Sequence, residues 1–182
     1  MNFNTYLKHF EAILNSSTPA EPYNDASFME YTKLNWSRLN RWLKTGVLNP
    51  ATIEKINSIK SQQKWIVISE PWCGDAAHIV PFIAMMVSLN TNIELEIQLR
   101  DSGSEIDNYL TNGSKSIPKL IIRDSNGVDL AVWGPRPLAC QIEFNTLKAA
   151  DTSFDELKVA LQKWYNNDKG TLIQQEIRAL LG

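Results

Sequence analysis

The stretch Trp65-Ile66-Val67-Ile68-Ser69-Glu70-Pro71-Trp72-Cys73-Gly74-Asp75-Ala76-Ala77-His78-Ile79-Val80-Pro81 decides the fold. Its first four residues form a compact apolar run, as expected of a strand buried on both faces, and Ser69-Glu70-Pro71 ends that run. A helix should follow, because Asp75 is a favourable cap and Ile79, Val80, Ile83, Ala84, Met86 and Val87 continue at helical spacing. Cys73 therefore falls at a strand-to-helix junction. Unpaired backbone N–H groups and the helix dipole at such a junction stabilise a thiolate, lowering the thiol pKa and making the sulfur nucleophilic. Gly74 is expected to let the backbone turn tightly beside it. The plain alternative is a small buried hydrophobe without chemistry.

Working outward, Ile93 to Leu99 alternates apolar and charged residues, the pattern of a half-buried strand, and Glu105 to Leu110 reads as a short helix ending at Asn112-Gly113. Lys119 to Ile122 and Val128 to Trp133 flank Ser125-Asn126-Gly127, a hairpin signal with Gly127 at the positive-φ position. Phe154 to Tyr165 is an amphipathic helix, and Leu172 to Leu181 adds another. Upstream, helical spacing appears in Tyr6, Phe10, Ile13 and Leu14, and again from Phe28 to Leu43 with a stop at Gly46. Pro50 opens a third segment that carries Ile53, Ile56 and Ile59 on one face. The expected fold is α/β: a mixed parallel and antiparallel sheet flanked by helices. Residues 1–62 form a helical extension packed on the core, and 63–182 the main domain with its C-terminal helices. A right-handed crossover makes the first two strands parallel, while the hairpin adds antiparallel ones.

Composition narrows the function. The chain has 182 residues, 43% hydrophobic and 21% charged, with a formal net charge of -2, so a folded domain is expected and a phosphate-backbone partner is not. Nucleic acid is not an expected ligand. The apolar run Ile79 to Val87 is too short to span a bilayer and contains Pro81, so no membrane association is expected. The opening MNFNTYLKHF lacks a basic region and an apolar region, so a cytoplasmic protein is the expectation. Two cysteines, Cys73 and Cys140, and two histidines, His9 and His78, do not suggest a disulfide framework or a closed zinc site. Neither a metal nor an organic cofactor is expected.

Trp72 to Ala76, WCGDA, resembles the thioredoxin active-site motif Trp-Cys-Gly-Pro-Cys, with Asp75 in place of the proline and Ala76 in place of the second cysteine. Pro81 falls where thioredoxins carry the proline that kinks the active-site helix. Ser116-Ile117-Pro118 looks like the segment that holds their cis-proline, and Gly134 follows at the family's interval. The resemblance covers roughly Lys64 to Tyr165. More narrowly, EPWCGD (70–75), YLTNGSKSIPK (109–119) and WGPRP (133–137) are similar to a bacterial branch of thioredoxin-like proteins that also carries a helical extension before the core.

The resemblance implies a thioredoxin-like fold and, for Cys73, a part in cell redox homeostasis as a monothiol oxidoreductase. Ala76 supplies no resolving thiolate, so Cys73 would attack a protein or glutathione disulfide and leave resolution to an external thiol. Where thioredoxins carry a buried carboxylate on the first strand, this chain has Val67. Cys140 lies six residues past Gly134 and is expected to point into packing, not within the roughly 7 Å that a bridge to Cys73 requires.

The remaining site candidates each have two readings. Asp75 either accepts amide hydrogen bonds at the helix start or raises the Cys73 pKa by its charge. Arg136 either faces Cys73, Asp75 or Glu70 as an anion-binding group, or only braces the loop. A cis bond at Pro118 would turn the Ile117 backbone toward the site, where it can pair with an extended peptide or a glutathione-like ligand; an ordinary trans turn would not. Trp72 is an apolar wall beside the sulfur or a core residue, and His78 is read as a solvent or packing residue. The rival function is a redox-inactive module that binds a peptide or protein in the groove between these segments. Iron–sulfur or glutathione ligation through one thiol is a third possibility. The expected partners are a protein or peptide disulfide or a low-molecular-weight thiol.

Overall fold

The computed structural model describes all residues, 1–182. The apolar run becomes strand β1 (Gln63–Ser69), in which Trp65, Ile66, Val67 and Ile68 are each no more than 1% exposed. Burying such side chains is worth roughly 1.5–3 kcal/mol each, so this strand anchors the core. It lies inside a four-stranded sheet of order β2-β1-β3-β4, with β2 at Ile93–Leu99, β3 at Lys119–Asp124 and β4 at Asp129–Trp133. The β1–β2 pair is parallel, and the β1–β3 and β3–β4 pairs are antiparallel. Trp65 pairs with Leu95 on one side and Ile122 on the other, which puts β1 in a site that a polar residue would occupy only at a cost. The mixed sheet and the hairpin are as expected from the apolar patterns.

Helix α4 (Gly74–Val87) carries the chain from β1 toward β2, and its residues Ala76 to Ala84 are all buried. Before the sheet come α1 (Phe3–Asn15), α2 (Ala26–Thr45) and α3 (Pro50–Ser58), with Asn2, Asp25 and Asn49 as side-chain caps. Met1 pairs with the outer edge of β2: Ile97 N–H donates to Met1 O at 2.6 Å and the Met1 amine donates to Ile97 O at 2.8 Å. That contact covers one edge of the sheet. The segment Glu105–Leu110 forms a single 3-10 turn at Ile106–Asn108, shorter than the helix expected there.

The helices after the sheet are α5 (Leu138–Ala149), α6 (Phe154–Asp168) and α7 (Thr171–Leu180). Helix α5 was not foreseen as an element of its own. Its core-facing stripe is short, Cys140, Phe144 and Leu147 at helical spacing, and it is masked in the sequence by Leu138 and Ile142, which point outward, and by Pro137, which offers no capping side chain. No helix is long and apolar enough to cross a membrane.

Candidate active site around Cys73

Cys73 occupies the N-cap of α4 in extended backbone conformation, with φ −77° and ψ 114°. Its Sγ stands where a serine or aspartate oxygen would cap: the Ala76 N–H donates to it at 3.5 Å. The thiol in turn donates to the Ile117 carbonyl at 3.4 Å. The residue is only 6% exposed, and burial, followed by the negative charge of Asp75, pushes its pKa up to about 12. The Ala76 amide and the Arg136 guanidinium act in the opposite sense and are outweighed. This corrects the expectation of a thiolate favoured by the helix start. Desolvation removes more from the charged form than the helix terminus returns.

Asp75 is not the cap. Its carboxylate is turned away from the helix amides, accepting from Arg136 Nη2 at 2.6 Å and from the Tyr165 hydroxyl at 2.8 Å. Both partners of the ion pair are largely buried, with 15% of the Arg136 and 11% of the Asp75 side chain exposed. Arg136 also donates through Nη1 to Gln141 Oε1 at 3.1 Å and lies 4.1 Å from the centroid of the Phe144 ring. Of the three groups weighed for Arg136, Asp75 is the one it pairs with. Glu70 instead accepts from the Asp101 N–H at 3.1 Å, and burial raises its pKa.

The loops opposite Cys73 are fixed by close approach. The Ile117–Pro118 and Gly134–Pro135 bonds are both cis. Gly134 has φ +112°, and a Cβ there would lie 2.4 Å from the Pro118 carbonyl oxygen, so no larger residue fits without movement. Lys119 ties the two loops together, its Nζ donating to Thr111 Oγ1 at 2.6 Å and to the Gly134 carbonyl at 3.1 Å. Gly74 serves a different purpose from the tight turn expected of it: a Cβ there would meet the Tyr31 hydroxyl at 2.2 Å. Glycine makes room for a side chain of α2.

A cleft of about 920 Å³ opens over the sulfur, and Trp72, Cys73, Gly74, Asp75, Ile117 and Arg136 all line it. Pro118 does not; it is buried behind Ile117. Trp72 is half-buried, edge-on to Phe28 with centroids 6.0 Å apart, and carries the Arg100 guanidinium 4.6 Å from its ring centroid. The far wall comes from Phe28, Tyr31 and Arg38 of α2 and from Lys158 and Tyr165 of α6. None of these five was singled out from the sequence. For Tyr165 the only available signal was its place on the buried face of α6, with Leu157 and Leu161.

His78 is a packing residue. The Trp42 indole, which can only donate, donates to His78 Nδ1 at 2.8 Å, so the ring proton sits on Nε2 facing Gln162 Oε1 at 3.1 Å. The ring stacks on Tyr165 at 4.5 Å, and burial lowers its pKa to about 3. Cys140 is a second free, buried thiol, also pushed up to about 12 by burial and Asp75. No three His, Cys, Asp or Glu side chains converge on a possible metal position.

A central strand running into a helix capped by a thiol, faced by a cis-proline loop and flanked by an antiparallel hairpin, defines an α/β protein of the thioredoxin fold class. The chain belongs to the thioredoxin family, whose sequence model matches residues 22–148. Two solved structures share the fold. One is an HIV epitope scaffold, 18% identical, with a TM-score of 0.57 over 100% of this chain and 98% of its own. The other is a protein of unknown function from Pseudomonas aeruginosa, 20% identical, with a TM-score of 0.51 over 94% of this chain and 99% of its own. No curated protein matches the chain.

Proposed function

We propose that this chain is a monothiol member of its family, exchanging disulfides through Cys73. The observation that carries this reading is the position of Sγ at the start of α4, on the wall of a large cleft and in contact with the Ile117 carbonyl. In the first step Cys73 Sγ loses its proton and attacks one sulfur of a substrate disulfide. A new S–S bond forms to Cys73 as the substrate S–S bond breaks, and the departing thiolate takes up a proton. An external low-molecular-weight or protein thiol then attacks the mixed disulfide and restores the Cys73 thiol, becoming oxidised itself. Ala76 leaves the chain without an adjacent resolving thiol, so the second step has to be intermolecular. An extended substrate has a backbone partner at hand, because the Ile117 N–H donates no hydrogen bond within the chain.

A second reading is favoured by one observation: Cys73 is only 6% exposed and its thiol donates to the Ile117 carbonyl at 3.4 Å, an enclosure that favours the neutral thiol. On that reading the cleft binds an extended segment without turnover. Trapping separates the two. The reduced chain is exposed to cell lysate, excess thiol is quenched, and mixed disulfides are compared with those of Cys73→Ser. Exchange requires captured proteins that are absent from Cys73→Ser and released by glutathione. Equal recovery of non-covalent partners with both chains, and no mixed disulfide, would replace exchange by binding.

A further inference from the structure

The cleft over Cys73 is lined by six cationic side chains, Arg38, Arg100, Lys115, Arg136, Lys148 and Lys158, and by one carboxylate, Asp75. The chain as a whole carries a formal charge of -2, so this is a local concentration of the minority charge. Asp75 is already neutralised by Arg136. Arg100, Lys115 and Lys158 pair with Asp101, Asp107 and Asp155, which lie outside the lining. Arg38 and Lys148 pair with no carboxylate at all.

Two buried donors at the cleft are also unused. The Nε of Arg38 and the Nε of Arg136 have no hydrogen-bond acceptor, although Arg38 Nη1 donates to Asn35 Oδ1 at 2.8 Å and its guanidinium lies 5.1 Å from the Tyr31 ring centroid. Guanidinium donors left without acceptors in a partly desolvated wall are costly unless a ligand completes them. The cations come from separate segments: Arg38 from α2, Lys115 from the loop before Ile117, Lys148 from the end of α5. Several carboxylates along one chain match that spread better than one small anion.

We infer that the Cys73 cleft recognises an acidic peptide segment, lying extended with its backbone against Ile117 and its carboxylates toward Arg38 and Lys148. This rests on the reading of the cleft as the substrate site and names the class of substrate it selects. Electrostatic selection of this kind also raises the rate of encounter and weakens with salt.

The test uses the full chain carrying Cys73→Ser, so that no covalent step contributes, and a fluorescent peptide of about ten residues with four Asp or Glu around a central serine. Its control has the acidic residues replaced by Asn and Gln. At low salt the acidic peptide should bind about tenfold more tightly than the control, with the advantage shrinking as salt is raised. Lys148→Gln, at an exposed position, and Arg38→Gln should each weaken the acidic peptide several-fold and leave the control unchanged. Equal affinity for the two peptides, no effect of either substitution, or reduced glutathione binding as tightly as the acidic peptide would each overturn the inference. A second pair of peptides, with cysteine for the serine and carried as glutathione mixed disulfides, is given to the wild-type chain, where Cys73 displaces glutathione as the leaving thiol. Acidic binding with no peptide adduct on Cys73 would fault the exchange reading alone. Adducts forming equally fast with the acidic and neutral disulfides would fault the acidic preference alone.

Discussion

At Cys73 two neighbours of opposite sign, Asp75 and Arg136, act on one sulfur, and they also bind each other at 2.6 Å. The thiol therefore responds to any change in that ion pair. Asp75→Asn removes the charge that raises the thiol pKa and leaves the Arg136 charge unbalanced, and both effects favour the thiolate. Alkylation of Cys73 by iodoacetamide at pH 8 should accelerate by roughly a factor of ten for each unit by which the pKa falls. An unchanged rate would mean that burial alone sets the reactivity. The same substitution should cost a few kcal/mol of stability, of the order of 3–5 for breaking a buried pair, which a thermal melt would show. Cys73 and Arg136 were legible because each stands in a short motif at a structural junction. Of the two readings of Asp75 the structure shows the charge beside the thiol and not the cap; its partner Tyr165, ninety residues away, is announced by no pattern near Asp75.

At the level of elements, α2, α4 and α6 meet at His78, which is hydrogen-bonded to Trp42 and Gln162 and stacked on Tyr165. Its pKa falls from 6.5 to about 3, through burial first and then through Arg38, with Arg41 also disfavouring the charged form against the hydrogen bond that Nε2 donates to Gln162. The folded state thus refuses a proton that the unfolded chain accepts below pH 6.5. Stability is complete above that pH and declines as pH falls toward 3, by about 1.4 kcal/mol per unit from this group. Melting temperatures of the wild type should drop between pH 6.5 and 5, and His78→Gln, less stable at pH 7, should show a flatter slope. His9, whose pKa is also lowered by burial, is common to both proteins and cancels in the comparison. Parallel slopes would show that His78 titrates normally. Strand β1 and helices α4 and α6 were legible from their apolar spacing, whereas the stripe of α5, Cys140, Phe144 and Leu147, is obscured by the exposed Leu138 and Ile142 beside it.

Over the whole molecule, the helical segment ahead of the sheet changes the character of the site. Helix α2 supplies Phe28, Tyr31 and Arg38 to the cleft, the Tyr31 hydroxyl accounts for Gly74, and Asn35 Nδ2 donates to the Pro71 carbonyl at 3.2 Å beside the Cys73 loop. The family match begins at residue 22, so it takes in this helix together with the sheet. Sequence reading described the helices before the sheet as an extension, because amphipathic spacing tells which face is buried and not what it is buried against. Beyond Arg136 no basic cluster can be read from the sequence, since the cations of the cleft are scattered along the chain and only folding gathers them. The central claim, that Cys73 and not Cys140 is the reacting thiol, has a direct measurement. The reduced chain is mixed with a peptide–glutathione mixed disulfide, stopped by acid, digested and mapped by mass spectrometry. The adduct should sit on Cys73 alone and disappear on addition of glutathione. An adduct on Cys140, or none on Cys73, would contradict it.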